Sequence, residues 1–282
     1  MNNETIQLPA PAKLNLFLHI LGQRDDGYHE LQTIFQLLDF GDTLSFTSQS
    51  DNRISLTPSI NGVKDEDNLI VKAAHLLQRH THTPLGAKIT LDKRLSMGGG
   101  IGGGSSDAAT TLLALNHLWN TQVSRKDLAE LGRQLGADIP VFVLGHSAWA
   151  EGVGEKLIPV DLPDNYYLVL SPPCHVSTAS IFTHSELTRD SAAITVAAFF
   201  EQATRNDCQT LVSRLYPEVA ECIDWLNQHS SSARMTGTGA SVFAAFPSRN
   251  NAEQVLAQSP WPGFVAQGVN QSPVHSLLAK LV

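Results

Sequence analysis

An α+β fold in two domains is what this sequence predicts, on three observations. Strand-like and helix-like segments interleave along the whole chain without an internal repeat. Six glycines crowd into the seven positions 98–104, between a strand-like segment and a long segment of helical periodicity. A Gly152-x-Gly154 turn and the stretch Pro159 to Pro163 then interrupt the chain, so the division is expected between residues 1–158 and 159–282.

The elements follow in order. From Leu14 to Ile20 apolar residues alternate strictly, with Lys13, Asn15, Phe17 and His19 on the other face, which predicts a half-buried strand. Asp25-Asp26-Gly27 signals a turn, and Leu31–Leu38 and Thr43–Ser48 read as two further strands. A helix is expected from about Asn68 to His80 and a strand at Ala87–Leu91. After the glycines, Ser105 and Ser106 are candidate N-caps of a helix that runs to about Trp119, with Ala108, Leu112 and Leu115 on its buried face. Ser124 with Asp127 opens another helix, which Gly136 ends. Val141–Leu144 and His146–Ala150 read as strands. Beyond the junction come a strand at Tyr167–Leu170, helices over about Ile194–Asn227, a strand at Ser241–Phe246, a helix near Glu253 and a strand at Phe264–Gln267.

Composition excludes several classes. The chain has 282 residues, enough for two ordinary cores, and a net charge of -8 that argues against a surface built to coat nucleic acid. Its three cysteines have no C-x-x-C spacing, so neither a disulfide framework nor a zinc site is expected, and a reducing cytoplasmic setting is. There is no signal-peptide pattern and no apolar run of membrane-spanning length. His80-Thr-His82 reads as a pair of surface histidines at a helix end rather than as metal ligands.

Glycines let successive backbone N–H groups converge on an anion with no Cβ in the way, and a helix N-terminus directly after them favours phosphate. No Lys follows them as a P-loop demands. Gly98, Gly100 and Gly103 satisfy G-x-G-x-x-G trivially, but the acidic residue expected about 20 positions later is missing, since Leu118-Trp119-Asn120 continue the helical pattern. The glycine loop of protein kinases lies between two strands, unlike this one. A flexible linker or a tight turn is the plainer alternative.

Four other segments stand out: Pro11-Ala-Lys13-Leu-Asn15, Gly27-Tyr28-His29-Glu30, Gly136-Ala137-Asp138-Ile139-Pro140 and Arg234-Met-Thr-Gly237-Thr238-Gly239-Ala-Ser241. Each by itself reads as a strand start, a hairpin tip or a turn. Together with Met97–Ala109, in this order and spacing, the chain resembles the GHMP kinases, small-molecule kinases that transfer phosphate from ATP to an alcohol. The resemblance covers essentially the whole length. It implies an N-terminal domain similar to a ribosomal-protein domain, with a left-handed βαβ crossover, and a ferredoxin-like C-terminal domain.

The same resemblance implies roles. Lys13 and Asp138 are the expected catalytic pair, with Asp138 accepting the proton of the alcohol and Lys13 neutralising charge beside it. Gly98, Gly99, Gly100, Ile101, Gly102, Gly103, Gly104, Ser105 and Ser106 are expected around the ATP phosphates, Asn68, Lys93 and Met97 at the adenosine, and Ser106 at Mg2+. The Gly-Tyr-His and Gly-Ala-Asp-Ile-Pro segments are similar to a branch serving isoprenoid-precursor synthesis, whose substrate is a cytidine diphosphate sugar alcohol. That implies Tyr28 and Phe182 on either side of a cytosine, His29 at its polar edge, and Asn15, Thr178, Gly237, Thr238 and Gly239 along the rest. Kinases of homoserine or mevalonate, and non-catalytic binding relatives, are the alternatives. The expected partners are small molecules, with no nucleic acid and no membrane.

Overall fold

Two long antiparallel strands organise the N-terminal half of the structure, a computed structural model that describes residues 5–60, 62–230 and 232–281. They are β1 (Thr5–Gln23) and β2 (His29–Gln49), followed by β3 (Ile54–Thr57), α1 (Leu69–Thr81), β4 (Gly86–Asp92), α2 (Gly103–Leu118), α3 (Arg125–Arg133), α4 (Ile139–Leu144), β5 (Ala148–Gly152) and β6 (Lys156–Pro159). The second half runs β7 (Tyr166–Leu170), α5 (Thr178–Thr183), α6 (Val196–Glu201), α7 (Gln209–Leu215), α8 (Pro217–Asn227), β8 (Arg234–Met235), β9 (Val242–Phe246), α9 (Arg249–Leu256), β10 (Gly263–Val269) and α10 (Pro273–Leu278).

β2 is the spine. It pairs with β1 along its length, with β4 through Thr43–Gln49 and with β5 through Leu31–Phe35. The second half builds the antiparallel order β10-β7-β9-β8, joined to β2 where Gly268 and Val269 meet Leu38 and Leu37. Within the sheet β1 pairs only with β2, so Pro9 and Pro11 sit in an edge strand that tolerates their missing donors. A register shift between Pro11 and Lys13 breaks the ladder there, and the Lys13 N–H donates instead to Ile101 O at 3.0 Å.

Three apolar clusters hold this together. One packs Leu8, Phe46 and Ile89 of the first sheet beneath Leu77 of α1 and Leu112 and Leu115 of α2. A second packs the other sheet against Leu211, Val219 and Leu226. The third, with Phe17, Trp149, Tyr167 and Phe243, spans both halves. Each large side chain so buried contributes roughly 1.5–3 kcal/mol.

The structure corrects several expectations. Val141–Leu144 belongs to the helix α4, because Pro140 starts it, Gly145 ends it in the left-handed region, and its residues Ile139 to Val143 are buried all round. An apolar run without a polar face carries no period by which helix and strand differ. Leu31–Leu38 and Thr43–Ser48 are parts of one strand. The Lys13 and Asn15 face of β1 is not solvated but buried, because the glycine loop and Thr236 cover it. Ser105 and Ser106 do not cap α2; Gly102, in a left-handed conformation, occupies that position. The helices expected over Ile194–Asn227 are present as α6, α7 and α8. Ser124 caps α3 as expected, accepting from Asp127 N.

Candidate active site

α2 begins without a side-chain cap. Ser106 N makes the first helical bond, to Gly102 O at 2.8 Å, so the N–H groups of Gly103, Gly104 and Ser105 precede the helical ladder. With the rest of the glycine loop they line a cavity of about 470 Å³ that also has Asn68, Lys93, Met97 and Asp107 in its wall. The positive end of a helix 16 residues long therefore lies against a pocket walled largely by backbone. Gly98, Gly100 and Gly102 have φ of 70°, 73° and 75°. At Gly100 the reason is close approach as well as conformation, since a Cβ there would press into Thr236 O.

A second cavity of about 290 Å³ adjoins the first and has Gly100, Ser105 and Thr178 in common with it. Lys13, Asn15, Asp138, Phe182, Gly237 and Thr238 line it. Lys13 is 2% exposed, and its ammonium donates to Asn15 Oδ1 at 2.6 Å and Gly100 O at 3.0 Å. It also reaches Asp138 Oδ2 at 3.2 Å. Asp138 occupies the N-cap position of α4 but its side chain makes no cap hydrogen bond, which leaves the carboxylate to Lys13 and the cavity. Asn15 N donates to Thr236 Oγ1 at 2.8 Å, and Thr178 and Thr238 hydroxyls lie 2.9 Å apart. These contacts stitch β1, the glycine loop and the turn before β9 around one point.

Other expected residues are placed less compactly. His29 is buried and its ring centre lies 5.2 Å from that of Phe182. Tyr28 is 64% exposed and lines an adjoining recess of about 420 Å³ with Arg24 and Arg133, so it does not face Phe182 here. That recess and the second cavity have Ala137 and Val153 in common. Asn68 caps α1 through Oδ1, which uses half of its amide. Met97 is 57% exposed at the mouth of the first cavity.

Sequence reasoning passed over Asp42, Asp107, Thr236 and Arg189. Lys93 is held by Asp42 Oδ2 at 2.6 Å and Asp107 Oδ2 at 2.8 Å. Burial pulls its ammonium down, but the two carboxylates outweigh burial and leave it raised. Burial pushes the Asp107 carboxyl up to about 7 despite Lys93. Asp42 also accepts from Arg94 N and Leu95 N, at 2.6 and 2.8 Å, so it fixes the turn that leads into the glycines. Asp42 follows Phe40-Gly41 between two strand-like segments, and nothing local distinguishes it. Thr236 lies inside the Arg234–Ser241 segment, where the flanking glycines carry the visible signal.

Comparisons with known proteins return one family throughout. Residues 68–146 match the family described as GHMP kinases N terminal domain, and residues 189–259 match GHMP kinases C terminal. A 4-diphosphocytidyl-2-C-methyl-D-erythritol kinase of Hahella chejuensis is 56% identical over 97% of this chain and 97% of its own. One of Pseudomonas aeruginosa is 57% identical over 98% of this chain and 99% of its own. A crystal structure of 4-(cytidine 5'-diphospho)-2C-methyl-D-erythritol kinase superposes with a TM-score of 0.83 at 31% identity, covering 94% of this chain and all (100%) of that one. A homoserine kinase from Cytophaga hutchinsonii, at 15% identity and a TM-score of 0.67, has the same fold. No described helix is long and apolar enough to cross a membrane.

Proposed function

From the premise that the chain belongs to the GHMP kinase family, we propose that it transfers the γ-phosphate of ATP to the 2-hydroxyl of 4-diphosphocytidyl-2-C-methyl-D-erythritol, a step in isoprenoid-precursor synthesis. One observation carries the reading. The phosphate-type cavity at the start of α2 and the cavity holding Lys13 and Asp138 meet at Gly100, Ser105 and Thr178. Phosphoryl transfer needs this arrangement of a nucleotide seat, an aligned alcohol and a cation between them.

In this mechanism the loop amides and the α2 N-terminus hold the ATP phosphates, while Asn68, Lys93 and Met97 wall the adenosine. Lys93 contributes its place in the wall rather than a free charge, because Asp42 and Asp107 hold its ammonium. The alcohol lies against Asp138, which orients it and accepts its proton as the new O–P bond forms. Lys13 stabilises the charge on the transferred group. Asn15, Thr178, Gly237, Thr238 and Gly239 line the path of the sugar and phosphates. His29 and Phe182 form the base end, and Tyr28, exposed beside it, is the second ring of the base site.

Among the described residues no three His, Cys, Asp or Glu form a metal-holding group. The Ser106 hydroxyl is nevertheless buried without a partner, which fits the few protein oxygens Mg2+ takes when phosphates supply the rest. Bound there, Mg2+ would neutralise phosphate charge.

ADP release with each candidate alcohol tests the proposal. The cytidine compound should be used efficiently, its uridine analogue poorly, and 2-C-methyl-D-erythritol 4-phosphate, which lacks the base, hardly at all. Equal kcat/KM for the cytidine and uridine compounds would remove the base pocket from the reading. Preferential turnover of homoserine or mevalonate would replace the substrate altogether.

A further inference from the structure

Arg189 lies 160 residues from His29 in the chain, yet its Nε donates to His29 Nε2 at 2.9 Å. Its other nitrogens donate to Leu187 O at 3.1 Å, Phe182 O at 2.9 Å and His184 O at 2.8 Å. The guanidinium is thereby fixed on all sides, between the imidazole and the backbone that carries Phe182.

A guanidinium has donors only and keeps its proton at any relevant pH. The imidazole nitrogen that meets it must therefore accept, and so must be unprotonated. A proton on Nε2 would set donor against donor at 2.9 Å inside a residue that is 6% exposed. The imidazolium suffers the same opposition, in keeping with burial and Arg189 both lowering the His29 pKa. The neutral ring that remains has its single proton on Nδ1. That nitrogen makes no hydrogen bond to protein among the described residues, and it remains free to donate.

We propose that Arg189 is a positioning residue that fixes His29 as the neutral Nδ1–H tautomer and thereby makes the base pocket select cytosine over uracil. Cytosine presents an unprotonated N3 that accepts from Nδ1–H. Uracil presents N3–H, a donor, at the same place. A histidine free to exchange tautomers would serve both bases. One held by Arg189 serves the first and opposes the second. The proposal rests on the reading of His29 as the residue that meets the base. It adds what that reading lacks, the reason an ambivalent side chain discriminates.

The test pairs two substitutions with a ring spectrum. Glutamine both donates and accepts, so Arg189→Gln permits either tautomer, whereas Arg189→Lys keeps a partner that only donates. Arg189→Gln should lower the ratio of kcat/KM for the cytidine compound over its uridine analogue by about tenfold, the scale of one hydrogen bond. Arg189→Lys should keep most of that ratio, and neither should change affinity for a nonhydrolysable ATP analogue. In 15N-histidine-labelled unmutated protein, the His29 ring should show the Nδ1–H pattern at neutral pH. An Nε2–H pattern there would overturn the proposal whether or not a variant folds. So would an Arg189→Gln enzyme that loses both compounds equally, since Arg189 would then only hold the Phe182 segment. If the unmutated enzyme does not prefer cytidine, the base reading and the selectivity claim both fail, while the spectrum still decides the tautomer.

Discussion

Lys13 shows how strongly one buried charge can organise its surroundings. An ammonium at 2% exposure is expensive unless oxygens surround it. It has three, from Asn15, Gly100 and Asp138, and its charge lies 5.3 Å from the centre of the Phe35 ring. Asp138 is the member of this group without another hydrogen bond, and its side chain is 34% exposed. It is therefore the atom set that can meet a substrate. Asp138→Asn keeps shape and removes the charge. Its kcat should fall by roughly 10²- to 10⁴-fold, the range for a positioned acid–base group. Affinity for an ATP analogue should hardly change, because Asp138 lies outside the nucleotide cavity. Near-normal turnover in the folded variant would remove Asp138 from the mechanism.

α4 carries Asp138 at one end and is held at the other by α10. His275 of α10 lies against the backbone of Phe142 and Val143, with both ring nitrogens buried and without a well-formed hydrogen bond. A Cβ on Gly145, just past the helix, would collide with this ring. Burial, reinforced by the charge of Arg125, pushes the His275 pKa down to about 4, from an ordinary value of 6.5. Between those values the unfolded chain binds the proton and the folded one resists it. Folding stability attributable to His275 is therefore present above about pH 6.5 and declines as the pH falls toward 4. Denaturant titrations at pH 7 and pH 5 should differ by about 1–2 kcal/mol more in the unmutated protein than in His275→Leu. An identical pH dependence in both would show that His275 is not buried in its neutral form.

The two halves meet along β1 rather than through a linker alone. Leu18 N donates to Arg205 O at 3.0 Å, Asp207 N to Leu18 O at 2.8 Å and Arg234 Nη1 to Leu16 O at 2.7 Å. The buried Asp207 carboxylate accepts from Ile20 N at 2.7 Å, Ser191 Oγ at 2.6 Å and Arg205 Nε at 2.8 Å. A segment of the second half thus satisfies the free edge of a strand of the first, next to the strand positions that carry Lys13 and Asn15. Asp207→Ala strands a buried backbone N–H and a hydroxyl. It should cost about 2–4 kcal/mol and lower a single unfolding midpoint seen by fluorescence and by circular dichroism alike. Two separated transitions would mean that the halves fold independently, so that the active site is held by docking.

The glycine run, the Lys13 strand and the Asp138 turn were legible in the chain because their information is local. Consecutive glycines announce close backbone approach wherever they occur, and alternating residues announce a strand. Even there the local signal stopped short. It places the cap of α2 at two serines, whereas Gly102 caps it and the helix starts at Gly103, which leaves the first amides to the cavity. The Lys13 and Asn15 face reads from sequence as the open side of a half-buried strand, and only its partners, Gly100, Thr33 and Thr236, show it to be internal. By itself the sequence determined the family, the interleaving of strands and helices and the residue types able to move a phosphate. Tertiary structure alone decided which oxygens surround each charge. Asp42 reaches Lys93 across 51 positions and Arg189 reaches His29 across 160. Such pairs leave no periodic or compositional trace, since a charge is compensated by what lies near it in space, and the chain fixes that proximity only once it has folded.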